Sequence, residues 1–226
     1  MKTFFKLLKW DLVLLAKYGI LPVAIGIGGL YIALIYLLSL PSQIVVFLIF
    51  SDPSMMGFIF VGVMVLFEKQ AGTTSALIVT PLQPWQYLLS KAVSLSIPAV
   101  IVSVAMAFAS GESVNYYLVL AAIVLTSILF LLLGFVGAQR VKTFNQYILV
   151  IPIFFVPFSI PIIDYLGIWE TPLMWLIPTK SSLILLRAAF HEVSLWEIIL
   201  SHLILLLSIF LAWKWALAEY KKRMIE

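Results

Sequence analysis

Two carboxylates stand in unusual surroundings in this chain. Asp11 falls in the middle of the apolar face of an N-terminal helix formed by residues 1–17. A carboxylate there needs a cation or hydrogen-bond donors, because an unpaired charge in an apolar setting is costly. Arg140, Lys142 and Lys91 are the candidates to supply that charge, and a structural tie is the expected role. Asp52 lies in the triplet Ser51-Asp52-Pro53, which reads as a helix start with Asp52 as N-cap and Pro53 in the first turn. Its chemical alternative is a substrate or proton site near the outer leaflet. Met56, Phe60 and Met64 follow along the same stretch and, with Asp52, could line a path for an apolar molecule.

Other familiar chemistry is missing from the sequence. No Gly-x-x-x-x-Gly-Lys-Ser/Thr loop occurs, so no ATP site of that type is expected. No His-Glu-x-x-His and no serine nucleophile elbow occurs. Cysteine is absent and only His191 and His202 are present, so no metal site is expected. The residues point away from catalysis and towards transport.

The elements that position these residues are apolar helices. Of 226 residues, 64% are hydrophobic and 11% charged, against roughly 25% charged in a soluble domain. A membrane span needs about 20 apolar residues. Six candidates emerge, at about 18–40, 43–67, 87–109, 116–138, 147–163 and 195–217. The second span starts either at residue 43 with a kink or at Pro53 after a separate dip; the triplet favours Pro53. The fold class is therefore an all-α integral membrane protein of one domain, 1–226. It comprises an interfacial helix (1–17), a six-span bundle (18–217) and a tail (218–226). The segment 164–192 is too apolar for an ordinary loop. It reads as one or two short re-entrant or interfacial helices, with Thr179 or Ser181 capping a helix near 182–190.

Charge sets the orientation. Lys2, Lys6, Lys9, Lys17, Lys69, Lys91, Arg140, Lys142, Lys214, Lys221, Lys222 and Arg223 fall on one side of such a bundle. Only Lys180 and Arg187 fall on the other. By the positive-inside rule both termini are expected in the cytoplasm, with the net charge of +4 reflecting membrane topology rather than nucleic-acid binding.

The polar loop after the second span has readable physics. Glu68 and Lys69 end the span, and Gly72 breaks the helix. Thr73 or Thr74 caps a short helix carrying Ala76, Leu77, Ile78 and Val79, and Thr80-Pro81 stops it. Pro84 opens the third span, with Trp85 and Tyr87 at the interface. An apolar stripe with no lipid beneath it suits a protein groove. Glu68 and Lys91, which flank the loop, read as boundary residues.

The pattern Phe67-Glu68-Lys69, Gly72-Thr73, Leu77, Thr80-Pro81-Leu82 and Lys91 resembles the permease subunits of ABC transporters with a type-2 transmembrane domain. Lys9-Trp10-Asp11-Leu12, Ser51-Asp52-Pro53, residues 68–91 and Pro178-Thr179 are similar to small bacterial permeases described as fluoroquinolone exporter subunits. The resemblance implies an elbow helix, six spans and short extracellular helices before the last. It also implies that Thr73, Thr74, Ala76, Leu77, Ile78, Val79, Thr80 and Pro81 form a coupling helix docked on a separate ATPase. The chain itself would carry no cofactor, ATP and Mg being held by that ATPase. The implied function is export of an apolar or amphipathic drug-like molecule across the bacterial plasma membrane, with a second permease subunit completing the pathway. Asp11, Glu68 and Arg140 would be structural charges. The rival readings are a stand-alone membrane enzyme or immunity-type protein acting on lipids, and a secondary carrier.

Overall fold

The computed structural model describes residues 2–73 and 82–222, with backbone alone at 2, 3 and 53–55. Among the described residues every regular element is helical. α1 (Lys2–Lys17) precedes six long apolar helices. These are α2 (Ile20–Leu38), α3 (Ser42–Gln70), α4 (Pro84–Ala109), α5 (Tyr116–Gln139), α6 (Phe144–Tyr165) and α8 (Leu195–Tyr220). A 3-10 turn (Pro172–Leu176) and α7 (Pro178–Phe190) come before α8. Each of the six is long and apolar enough to cross a bilayer. The chain is a multi-pass membrane protein.

α5 is the axis of the bundle. Along its most apolar stretch 72% of residues are buried, against 11% for α6, so α6 is a peripheral helix. The outer face is apolar, unlike that of a soluble protein, and the mostly apolar interior also holds small polar side chains. Leu149, Ile153 and Val156 on α6 and Leu203, Leu207 and Leu211 on α8 are exposed. Ser90, Ser94, Ser103, Thr126, Ser182 and Ser201 are buried. Small hydroxyl side chains let helices approach closely and bond across the seam. Thr126 donates to the Ser182 Oγ at 2.8 Å, joining α5 to α7.

α3 and α5 approach each other closely, and the approach depends on glycine. A Cβ on Gly134 would sit 2.5 Å from the carbonyl oxygen of Phe58, and one on Gly57 would sit 2.9 Å from that of Ser127. Residues Met56–Phe60 form a π turn at this crossing. The Tyr147 hydroxyl, from α6, donates to the Phe58 carbonyl at 2.5 Å. Its ring fills the space over Gly62 that any larger residue would occupy. Three helices are thus locked around one widened turn, a place where π turns commonly mark function.

Two expectations are corrected here. α3 begins at Ser42 and runs through Ser51-Asp52-Pro53, so Asp52 is not an N-cap and there is no separate dip before Pro53. The apolar run from Ile44 to Phe50 continues the helix, and Ser51 turns its hydroxyl back to the Phe47 carbonyl at 2.8 Å instead of starting a new one. α7 likewise starts at Pro178 with Ile177 as its N-cap residue, so neither Thr179 nor Ser181 caps it. Proline in the first turn sets the start, and the Thr179 hydroxyl donates instead to the Phe158 carbonyl of α6 at 2.5 Å.

Candidate functional site: a buried ionic cluster beneath the loop

The chain leaves α3 and returns as α4 through the loop singled out in the sequence. Gly72, at φ 68°, adopts the left-handed conformation that ends a helix. Thr73 Oγ1 donates to the Glu68 carbonyl at 3.0 Å, satisfying one of the carbonyls that the helix end leaves free. On the return, Gln83 and Gln86 form a reciprocal capping box, and Pro84 occupies the first turn. Both legs of the loop are therefore held in defined geometry. Thr74, Ala76, Leu77, Ile78, Val79, Thr80 and Pro81 lie outside the described residues.

Beneath the loop the legs are joined by charge. Lys91 on α4 forms an ion pair with Glu68 at the end of α3. The same ammonium is 2.6 Å from Asp11 Oδ1 on α1. Ser90 donates to Asp11 Oδ2 at 2.5 Å, and Tyr87 donates to Glu68 Oε2 at 2.5 Å. Each carboxylate oxygen thus accepts a hydrogen bond. Lys91 is 0% exposed, Asp11 1% and Glu68 5%. Tyr87 also packs against Tyr220 of α8, with ring centroids 5.4 Å apart, and against Phe135 of α5 at 6.1 Å. The cluster draws five helices together.

The electrostatics are finely opposed. Burial pushes the Asp11 carboxyl above its ordinary range, while the Lys91 charge and the hydrogen bonds from Lys91 and Ser90 pull it down. One cation serves two carboxylates, so Lys91 is the member whose loss leaves the most uncompensated charge. A buried pair of this kind is weak evidence for net stability, but breaking it by removing one partner is severe.

Two further ties flank the cluster. The Lys69 ammonium donates to the Ala138 and Gln139 carbonyls at 3.0 and 3.3 Å, where α5 ends. A cation at a helix C-terminus satisfies free carbonyls and complements the helix dipole. Arg140 donates to Glu219 Oε1 through Nε at 3.1 Å and Nη2 at 2.5 Å, joining the ends of α5 and α8. Its guanidinium also lies 5.3 Å from the centre of the Trp215 ring.

A family model described as the fluoroquinolones export permease protein family matches residues 2–226, nearly the whole chain. The chain belongs to that family. Two relatives, from Mycobacterium tuberculosis strains CDC 1551 / Oshkosh and ATCC 25618 / H37Rv, carry the name fluoroquinolones export permease protein. Each is 33% identical over 198 residues, covering 84% of this chain and 83% of the relative. Membership in a permease family places the chain with transport proteins rather than enzymes.

The permease brings together some sequence-predicted residues and separates others. Asp11 and Glu68 meet at Lys91, whereas Arg140 belongs to the separate pair with Glu219. Glu68 and Lys91, read as boundary residues, are buried and paired with each other at the base of the loop. The pairing of Lys91 with Glu68 was not foreseen, and its signal was the run Tyr87-Leu88-Leu89-Ser90-Lys91-Ala92-Val93 with Tyr87 one turn earlier on the same face. A lysine inside an apolar helix demands a partner. Asp52, Met56 and Met64 are buried and Phe60 is half-buried. Asp52 Oδ2 has no hydrogen-bond partner among the described residues.

Proposed function

We propose that this chain is the permease subunit of an ATP-driven exporter in the bacterial plasma membrane, with both termini in the cytoplasm. A separate ATPase docks on the loop at residues 73–81, and a second permease subunit, identical or related, completes the pathway. The cargo is an apolar or amphipathic drug-like molecule of the fluoroquinolone kind named for the relatives. α1 acts as an elbow at the cytoplasmic interface, where its exposed Phe5, Trp10 and Val13 suit the lipid boundary.

The observation that carries this reading is the stapled base of the loop. Glu68 and Lys91 join its two legs, and Asp11 ties the same lysine to α1. A push on the loop is thereby shared by α1, α3 and α4 as one body, rather than spent in bending a flexible turn. The permease performs no bond chemistry of its own. Its work is the difference in contact between two conformations, one of which the nucleotide-bound ATPase favours.

The test is co-purification. Replacing Leu77 and Ile78 together by Asp introduces two charges into the apolar stripe. The variant is expected to reach the membrane at wild-type yield and to lose both its co-purifying ATPase partner and drug efflux from cells. A well-folded variant that still holds the ATPase and exports drug would show the docking assignment to be wrong.

A further inference from the structure

At the end of the bundle away from the termini, α6, the 3-10 turn, α7 and α8 enclose an open cleft of about 1000 Å³. That size is at the upper end for small-molecule sites. Its lining is unlike the dry cluster below the loop. Lys180 is committed, lying 3.0 Å from Asp164 Oδ2 and 5.4 Å from the centre of the Trp175 ring. Arg187, Glu170 and Glu197 also line the cleft and form no ion pair among the described residues. Arg187 and Glu170 are exposed, and Glu197 is half-buried. One cavity therefore presents a free cation, two free carboxylates and a half-buried aromatic ring held by a neighbouring ion pair.

That set matches one ligand chemistry. A guanidinium receives a carboxylate, a pair of carboxylates receives an ammonium, and an indole offers a flat apolar plane for another ring. A purely apolar ligand would leave all three charges unanswered, and a simple anion would meet an excess of acids. We propose that this cleft binds a planar aromatic zwitterion, with its carboxylate on Arg187, its ammonium at Glu170 and Glu197, and its ring beside Trp175. The inference rests on the export reading for its role: the cleft is then the outward mouth, where cargo pauses before release. Charges left open to water suit such a site, since they hold the ligand weakly enough to let it go.

The test is equilibrium binding to the full-length protein in phosphatidylcholine nanodiscs, read from the fluorescence of the ligand. The probes are a fluoroquinolone bearing a carboxylate and a piperazine ammonium, its methyl ester, and its N-acetyl derivative. The wild type is expected to bind the zwitterion about five- to tenfold more tightly than either blocked form. R187Q is expected to lose the preference over the ester while keeping the preference over the N-acetyl form. The double variant E170Q/E197Q is expected to do the reverse. W175L should weaken all three probes together. Pairing each variant with the ligand group it faces separates a direct contact from general damage. The proposal is overturned if the wild type shows no saturable binding, or shows no preference among the probes. It is also overturned if R187Q weakens all three equally. Displacement of the probe by glycerophosphoethanolamine, with equal affinity for ester and zwitterion, would assign the cleft to a lipid headgroup instead. Charge-matched binding that survives when the Leu77 and Ile78 test fails would leave the cleft standing and remove the export reading alone. Loss of efflux in that test without charge-matched binding would do the opposite.

Discussion

The two ends of the bundle handle charge in opposite ways. Below the loop, Asp11, Glu68 and Lys91 are dry, mutually bonded and supplied by three helices. At the far end, Arg187, Glu170 and Glu197 stand in an open cleft with no ion pair among the described residues. Burial decides the difference. Charges removed from water must find each other, which fixes helices in one relation. Charges left in water need no protein partner and remain available to a ligand. One end is tied together by its own charges, and the other leaves its charges open to solvent.

The contrast breaks most sharply at Lys91. Lys91→Met leaves two buried carboxylates without a cation and is expected to cost about 3–5 kcal/mol. Thermal unfolding in detergent and membrane yield both report it. The triple neutral variant D11N/E68Q/K91M should be clearly more stable than K91M alone, because no charge is left stranded. A triple variant less stable than K91M would mean that packing, not charge, governs the cluster. Asp11→Asn alone should be milder than K91M. Burial raises the Asp11 carboxyl and so disfavours its charged form; the amide removes that charge and can still accept from Ser90. Equal losses for the two variants, measured by the same melts, would contradict this ordering.

A smaller effect is expected midway between the ends. Gly134→Val places a side chain against the Phe58 carbonyl and should cost about 1–3 kcal/mol through overpacking. Tyr147→Phe removes one hydrogen bond at the same π turn, about 1 kcal/mol. Unchanged melting for G134V would show that α3 and α5 separate easily at this crossing.

The smallest effects belong to charges that water reaches. The Arg140 side chain is 44% exposed. Its partner Glu219 is only 10% exposed, so Arg140→Gln should cost less than K91M without being silent, with that loss shrinking as salt is raised. A salt-independent loss on the scale of K91M would erase the distinction between the dry cluster and a charge that water reaches.

Much of the permease was legible in its sequence. The six spans follow from the length of apolar runs, a local property that any window of residues displays. The long helices begin and end within a few residues of those runs. The oddity of Asp11 was likewise visible, since one helical turn is enough to show a carboxylate among leucines. Its partner was not. Asp11 and Lys91 are 80 residues apart. Arg140, Lys142 and Lys91 were equally plausible until the crossing of α1 and α4 placed one of them within reach.

Ser51-Asp52-Pro53 shows the opposite limit. Its local signal for a helix start was strong, yet α3 passes through it. Capping preference amounts to about 1 kcal/mol, and an apolar segment in a bilayer gains more by keeping its backbone bonded inside one helix. Composition and periodicity by themselves determined that this chain is an all-helical membrane protein with a polar loop between its second and third spans. Only the tertiary structure decided which charges meet, because pairing depends on how distant helices cross, and that is set by glycine contacts and ring packing summed over the whole bundle.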